Sequence, residues 1–188
     1  DFLTLSKVKE IIQNDQYLRL KSLTSIIDQT MVIKLPNGAR HKIVYTNKNQ
    51  EDIPWIGQPD VFLECSGKHT KKPNWQSVLV GSTKRVIISA TSWNADQILV
   101  YGFNHTNLKN DDKVLSYGSC TVNAYTPLAK LIHDNYTIVD SDVNVIHNVP
   151  THQADTFDTL ERRACTLELV APHLLDFLNK DNFVVNYT

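Results

Sequence analysis

The feature that most constrains the fold is a series of short apolar runs that alternate with helical segments. Residues 60–65 (DVFLEC), 85–89 (RVIIS) and 114–117 (VLSY) each have the length and composition of a buried strand. Residues 97–103 are also strand-like, and residues 71–80 predict a short helix. A parallel strand is covered on both faces and therefore shows a continuous apolar run. Strands of this kind, alternating with helices, predict an α/β fold with a parallel sheet.

The segments on either side of this region carry further signals. Apolar residues within residues 3–12 recur at helical spacing. Residues 30–35 and 41–45 flank the turn-forming sequence Pro-Asn-Gly, which predicts a β-hairpin. Farther along the chain, residues 136–149 alternate for much of their length and predict a long strand, whereas residues 160–179 predict a helix.

Composition argues against several classes of function. Among the 188 residues, 19 basic residues nearly balance 20 acidic ones, and the net charge of −1 argues against a nucleic-acid partner or a membrane-surface patch. No apolar run approaches the roughly 20 residues that span a bilayer, so we expect no membrane partner. Three cysteines, none in a CxxC pair, argue against a disulfide framework and exclude a four-cysteine zinc site. They favour a reducing, cytoplasmic location, and we expect no metal.

The strongest candidate for a reactive group is Cys120, which follows Gly118 and Ser119 at a predicted strand-to-helix junction. A thiol at a helix N-terminus lies at the positive end of the helix dipole, beside free backbone N–H groups, and both favour its thiolate form. The same N–H groups can bind an oxyanion or a phosphate oxygen, and Ser119 and Thr121 add hydroxyl donors. The sequence does not fix the first residue of this helix to better than several residues, because Pro127 falls inside the apolar pattern that follows and a proline suits the first turn of a helix.

A cysteine nucleophile usually needs a base, and His147 is the best placed of the seven histidines. A helix after Cys120 leads away and the following strand returns, so residue 147 can come back beside the helix start. The competing interpretation is that Cys120 is a small buried side chain and His147 a polar residue on the exposed face of a strand. Cys65 and Cys165 have no comparable setting, and we interpret both as packing residues.

Residues 119–123 read SCTVN, and AKLIHD at residues 129–134 continues into the following helix. KRVIISA at residues 84–90 and GFNH at residues 102–105 lie upstream. These sequences resemble the phosphorylating glyceraldehyde-3-phosphate dehydrogenases, whose active-site motif is SCTTN. The separation of Cys120 and His147 equals the spacing of nucleophile and base in that family. The resemblance runs from about residue 25 to residue 153.

The resemblance implies a partial Rossmann-like nucleotide-binding domain at residues 1–118, followed by the start of an α+β catalytic domain at residues 119–188. It implies NAD as the cofactor, with NADP not excluded, and oxidation of an aldehyde phosphate with inorganic phosphate in a cytoplasmic homotetramer. Cys120 would attack the aldehyde to give a thiohemiacetal, and His147 would take the proton while hydride leaves. Inorganic phosphate would then cleave the thioester.

By the same resemblance, Ser119 and Thr121 would bind phosphate. Ser66, Gly67 and Ser92, which follow predicted strands, would contact the cofactor.

The chain also departs from the family pattern. Its six glycines are too widely spaced for GxGxxG, so it carries no standard glycine-rich phosphate loop. Val122 replaces the second threonine of the motif, and Pro150 replaces a threonine expected to bind substrate phosphate, which leaves a four-carbon sugar phosphate open as the substrate. Arg162 or Arg163 would supply a phosphate-binding charge, although an exposed helix face is the commoner position for arginine.

Three explanations of these departures stay open. The chain is an incomplete view of a longer dehydrogenase, a truncated and inactive paralogue, or a binding or assembly module. We favour the first, because a chain that opens inside a domain would expose unpaired sheet edges. A cysteine hydrolase is an alternative class, but the sequence identifies no third orienting residue. Related semialdehyde dehydrogenases use a similar cysteine and fit the surrounding motifs less well.

Overall fold

The computed structural model describes residues 3–15, 23–27, 30–147 and 165–187. Contacts divide the chain into two compact units, Asp1–Trp55 and Ile56–Thr188. This division differs from the boundary between residues 118 and 119 that the resemblance implies. The implied boundary separates a nucleotide-binding part from a catalytic part, and it stays a prediction.

The first unit contains a helix and an antiparallel sheet. Helix α1, Leu5–Asn14, begins after Thr4, whose Oγ1 accepts a hydrogen bond from the backbone N–H of Lys7 at 3.3 Å and so caps the helix. The three strands pair in the order β1-β2-β3 and are β1, Leu23–Ile27, β2, Thr30–Lys34, and β3, Arg40–Val44. The predicted first helix and the predicted hairpin are therefore confirmed.

The second unit contains a four-stranded parallel sheet. In chain order its strands are β4, Val61–Glu64, β5, Arg85–Ile88, β6, Gln97–Ile98, and β7, Val114–Ser116. They pair in the order β4-β5-β7-β6, and helix α2, Lys72–Gln76, lies in the connection between β4 and β5. Val86 and Ile88 of β5 are fully buried, which accounts for the apolar run at this strand. The predicted α/β fold with a parallel sheet is confirmed.

The strand predicted over residues 97–103 is wrong in length, because β6 ends at Ile98. The side chain of Asn104 donates from Nδ2 to the Ile98 carbonyl at 2.9 Å and accepts at Oδ1 from the Val100 N–H at 2.6 Å. It therefore pairs with backbone groups that a further strand would use. Gly102 then reverses the chain with φ +81°.

Within its described residues, the second unit also contains two longer helices and two further strands. They are α3, Cys120–Tyr136, β8, Ser141–Val145, α4, Thr166–Leu174, and β9, Phe183–Tyr187. Strands β8 and β9 pair in parallel. Buried residues of α3, α4 and β9, among them Val122, Leu167 and Val185, form one hydrophobic cluster. This cluster anchors the helix that begins at Cys120.

Within the described residues 136–147, the strand predicted over residues 136–149 is shorter than expected, because β8 begins at Ser141 and ends at Val145; residues 148 and 149 lie outside the described ranges. Helix α3 continues to Tyr136, and Thr137 then takes a positive φ of 58°, which ends the helix. The apolar residues between these points lie in a turn rather than in a strand.

The helix predicted over residues 160–179 covers only Thr166–Leu174 among the described residues, and residues 160–164 lie outside the described ranges. The helix ends soon after Pro172, which cannot donate a backbone hydrogen bond. Asn182 then fixes the following turn by donating from Nδ2 to the Phe177 carbonyl at 2.9 Å.

Within the described ranges, no helix combines the length and apolar character that crossing a membrane requires. The same part of the chain shows no group of three or more His, Cys, Asp or Glu side chains arranged to hold a metal ion.

Candidate active site

A tight turn joins strand β7 to helix α3. Gly118 lies in this turn with φ +71°, a conformation that L side chains rarely adopt. A Cβ at this position would also lie 3.2 Å from Cγ1 of Val122. Because only glycine meets both conditions without strain, the turn can deliver Cys120 as the first residue of α3.

Ser119 caps α3 and lies beside Thr121, the other residue that the resemblance assigns to phosphate. Its Oγ accepts a hydrogen bond from the Val122 N–H at 3.3 Å, as an N-cap residue does. The same Oγ lies 3.0 Å from Oγ1 of Thr121. Both hydroxyls are therefore at the N-terminus of a 17-residue helix, where the dipole and the free N–H groups favour an anion.

Cys120 and His147 lie next to each other at the start of this helix. Sγ of Cys120 is 3.5 Å from Nε2 of His147, a hydrogen-bonding distance for sulfur. Both side chains are exposed, so the interpretation of Cys120 as a buried packing residue is wrong. A thiol at this distance from an imidazole can transfer its proton to it, so the pair can supply a nucleophile and a base. Their catalytic role stays a prediction.

The path of the chain explains why residues so far apart in sequence meet. Helix α3 leads away from Cys120, and β8 returns towards His147. Oη of Tyr125 on α3 lies 2.7 Å from Oγ of Ser141 on β8, and this hydrogen bond joins the two elements. Burial raises the pKa of Tyr125, and the hydrogen bond to Ser141 opposes that rise only in part. The phenol therefore stays neutral across the physiological range.

Asn123 braces the turn from within the helix. Its Nδ2 donates to the Tyr117 carbonyl at 2.6 Å and to the Ser119 carbonyl at 2.9 Å. Val122, which replaces a threonine of the family motif, is fully buried and belongs to the hydrophobic cluster. Its replacement of threonine therefore alters packing beneath the site rather than the surface of the site.

The other two cysteines differ from each other. Cys165 is 8% exposed and packs in the hydrophobic cluster, which confirms its interpretation as a packing residue. Cys65 is exposed, so the same interpretation is wrong there. Strand β4 ends at Glu64, and Cys65 opens the exposed turn that follows.

Ser66 and Gly67, which the resemblance assigns to the cofactor, form that turn after β4. Ser66 donates from its backbone N–H to Oε1 of Glu64 at 2.7 Å, and its Oγ donates to the same oxygen. Its Oγ also accepts from the Lys68 N–H at 3.1 Å. Gly67 has φ +72°, and apart from its two chain neighbours no heavy atom of the described residues lies within 4 Å of where a Cβ would be. The backbone at Gly67 is thus open to a ligand, whereas the Ser66 hydroxyl is used inside the turn.

Ser92, the third residue assigned to the cofactor, is 2% exposed. Its Oγ donates to the Thr70 carbonyl at 2.5 Å, and its N–H donates to Oγ of Ser116 at 3.0 Å. These bonds fix the loop after β5 from inside the protein. Of the three assigned residues, only Gly67 offers open backbone that fits a bound nucleotide. The cofactor role of all three stays a prediction.

Sequence reasoning missed Ser116, which ends β7 and accepts hydrogen bonds from the backbone of two loops. The available signal was a single hydroxyl at the end of an apolar run, two residues before the glycine turn. Pro150, Arg162 and Arg163 lie outside the described residues, so the expectations about substrate phosphate at these positions stay predictions.

These features define an α/β protein in which a parallel sheet leads, through a glycine turn, into a helix that begins with an exposed cysteine beside a histidine. No protein-family model matches the chain. Curated proteins named glyceraldehyde-3-phosphate dehydrogenase do match it.

The relative from Cereibacter sphaeroides is 37% identical over 128 residues, which are 65% of this chain and 38% of the relative. A plasmid form from Cupriavidus necator is 34% identical over 141 residues, 71% of this chain and 41% of the relative. A cytosolic form from Taxus baccata is 32% identical over 162 residues, 78% of this chain and 47% of the relative. The chain thus spans less than half the length of each of these relatives.

The chain belongs to the glyceraldehyde-3-phosphate dehydrogenase family, a family of oxidoreductases. Its parallel sheet is the Rossmann-like part that the resemblance implies.

Proposed function

We propose that this chain carries the nucleophile and the base of a glyceraldehyde-3-phosphate dehydrogenase-type enzyme of glycolysis or gluconeogenesis. The reaction would oxidise an aldehyde phosphate in the presence of inorganic phosphate to give an acyl phosphate. One observation carries the proposal: the 3.5 Å separation of Cys120 Sγ and His147 Nε2 at the first residue of α3. The reaction needs a thiolate, a base that works near neutral pH, and donors for developing negative charge.

The first step follows from the position of the thiol. A helix N-terminus favours the thiolate form of a thiol in general, and the exposure of Cys120 allows an aldehyde carbon to approach. A carbon–sulfur bond forms, the carbonyl electron pair moves to oxygen, and the proton that His147 has taken from the thiol passes to that oxygen, giving a thiohemiacetal. The N–H groups of the first turn of α3 would stabilise that oxygen while it carries charge.

His147 would act in the second step. Its Nε2 faces Cys120 Sγ, so it lies within reach of the hydroxyl on the carbon bound to sulfur. As His147 takes this proton, the carbon loses hydride and becomes a thioester. A phosphate oxygen then attacks the thioester carbon, the carbon–sulfur bond breaks, and the thiolate of Cys120 is restored with release of the acyl phosphate. Ser119 and Thr121 would hold that phosphate through their adjacent hydroxyls.

NAD or NADP, when bound, supplies the acceptor for the hydride. The open backbone of Gly67 after β4 fits contact with the cofactor, whereas the Ser66 and Ser92 hydroxyls are used inside their own loops. Both loops follow strands at the carboxyl edge of the parallel sheet, which is where nucleotides bind in open α/β sheets.

The test is a steady-state assay of the purified protein with glyceraldehyde 3-phosphate, inorganic phosphate and NAD, followed by the absorbance of the reduced nicotinamide. Cys120→Ser should abolish turnover. His147→Asn should lower kcat by about 10²- to 10⁴-fold, the usual contribution of a positioned general base. A four-carbon sugar phosphate and NADP are compared in parallel, because both stay open.

Cys65→Ser is the matched control, since Cys65 is exposed but lies in a turn after β4 rather than at a helix start. It should leave turnover unchanged. Turnover that survives Cys120→Ser, or that is lost equally in Cys65→Ser, would overturn the assignment of the nucleophile.

A second candidate is an inactive paralogue that serves as a binding or assembly module. The engaged hydroxyls of Ser66 and Ser92 favour it, because they leave little of the assigned cofactor surface available. In an inactive protein there would be no turnover, and iodoacetamide would label Cys120 and Cys65 equally slowly.

The proposed dehydrogenase-type function also includes homotetramer formation and a cytoplasmic location. Sedimentation equilibrium and fractionation of cells would test them.

A further inference from the structure

Ser116 is a buried residue that the proposed mechanism does not use. It is the last residue of β7, which lies between β5 and β6 in the sheet, and it is 1% exposed. Its Oγ donates to the Ala90 carbonyl at 2.8 Å and accepts from the N–H groups of Ser92 at 3.0 Å and Gly118 at 3.2 Å. A hydroxyl has one donor and two acceptor sites, so these bonds use its full capacity.

The three partners come from two different loops. Ala90 and Ser92 lie in the loop after β5, whereas Gly118 lies in the turn that starts α3. The backbone ladder joins these regions only as far as the bond from the Tyr117 N–H to the Ile88 carbonyl at 2.9 Å. Beyond that point, the hydroxyl of Ser116 connects the glycine turn to the neighbouring loop.

We propose that Ser116 is a positioning residue that holds the Gly118 turn in place and thereby keeps the sulfur of Cys120 facing His147. Cys120 follows Gly118 by two residues, so a rotation of the turn would move the first residue of α3 and change the 3.5 Å separation. Without the hydroxyl, the buried N–H groups of Ser92 and Gly118 lose their acceptor, which favours a rearrangement that pairs them again. The inference rests on the proposed function, because it concerns the reactivity of the proposed nucleophile.

The three cysteines provide the assay within one molecule. Iodoacetamide labelling at neutral pH, followed by peptide mass spectrometry, gives a rate for each. Cys120 reports on the site, exposed Cys65 normalises for reagent and solvent, and buried Cys165 stays protected only while the fold is intact. The measured quantity is the ratio of the Cys120 labelling rate to the Cys65 labelling rate. This ratio is used only for samples in which Cys165 stays unlabelled, because these samples are folded.

Ser116→Ala should lower this ratio by about two- to fivefold, the size of a weakened interaction with a helix terminus. In the turnover assay it should lower kcat by about tenfold to a hundredfold with a smaller change in KM, as expected from a misplaced reacting group. Ser116→Thr, which keeps the hydroxyl, should restore most of the ratio. Thr126→Val is the matched control, because the fully buried Thr126 hydroxyl donates only within α3, to the Val122 carbonyl at 2.8 Å. It should lower stability and leave the ratio unchanged.

Each outcome bears on one proposal. Should wild-type Cys120 label no faster than Cys65, the proposed function fails at its first requirement. If the wild-type ratio is high and Ser116→Ala leaves it unchanged, only the positioning role is overturned. The positioning role is also overturned if Thr126→Val lowers the ratio as much as Ser116→Ala does. If Ser116→Ala exposes Cys165, the labelling is repeated in trimethylamine N-oxide, which strengthens burial. Exposure of Cys165 even there would show that the hydroxyl is needed for folding rather than for the thiol, and would also overturn the inference.

Discussion

Ser119 performs two tasks that a pair of substitutions can separate. Its Oγ caps α3 through the Val122 N–H at 3.3 Å, and it lies beside Thr121 at the surface where phosphate would bind. Ser119→Ala removes both. Loss of an N-cap costs about 1 kcal/mol, which for a chain of this size lowers Tm by roughly 2–4 °C. Ser119→Asp keeps a side chain that caps helices well, so its Tm should stay close to that of the wild type.

The same Asp substitution should lower the reactivity of the Cys120 thiol. A carboxylate about 5 Å from the sulfur, in surroundings close to water, adds a repulsion of about 0.8 kcal/mol, which corresponds to about fourfold slower alkylation of Cys120. Calorimetry supplies Tm, and labelling relative to Cys65 supplies the reactivity.

Thr4→Ala is the control for capping alone, because Thr4 accepts from the Lys7 N–H at the same 3.3 Å but starts α1 in the first unit. It should leave the labelling of Cys120 unchanged. Equal Tm losses for Ser119→Ala and Ser119→Asp, together with unchanged labelling in both, would refute the reasoning.

Three further changes probe the framework of the site. Gly118→Ala forces an L side chain into φ +71° and brings a Cβ to 3.2 Å from Val122, so it should lower the free energy of unfolding by about 1–2 kcal/mol in urea titrations; an unchanged midpoint would contradict the strained turn. Tyr125→Phe removes a group whose pKa burial raises. The wild type should therefore lose stability as the pH rises through that raised pKa, and the variant should lose less; parallel alkaline profiles of unfolding would contradict this. Leu167→Ala, at a site 1% exposed, should cost about 2–5 kcal/mol in the same titrations, and a loss below about 1 kcal/mol would mean that the cluster does not hold α3 in place.

The sequence identifies the pairing of Cys120 and His147 because two local patterns are enough to place it. A strand that ends in a glycine turn delivers Cys120 to a helix start, and a helix followed by a returning strand brings residue 147 back. The sequence does not fix the start of α3, because Pro127 lies within the helix, where a proline removes a backbone donor. Burial of Val122, Thr126 and Ala129 offsets that loss, and this packing depends on α4, far along the chain.

The loops after β4 and β5 were less accessible to prediction. Whether Cys65 is exposed and Ser92 buried depends on how each loop folds, and the residue types alone do not specify it. The length of β6 was also not predictable from residue types. The Asn104 side chain ends this strand by hydrogen bonding to the backbone carbonyl of Ile98 and the backbone N–H of Val100. Such side-chain bonds leave no periodic trace in the sequence.

The exposed turn between α3 and β8 has a practical consequence. Thr137 takes a left-handed conformation there, and Val139 is 79% exposed. A protease that cuts after Val139 would leave Cys120 on one fragment and His147 on the other. The two pieces would then be joined without a covalent link, through the bond between Tyr125 and Ser141 and the shared apolar cluster. Recovery of thiol reactivity on mixing the fragments would make this chain a complementation reporter whose signal requires both halves.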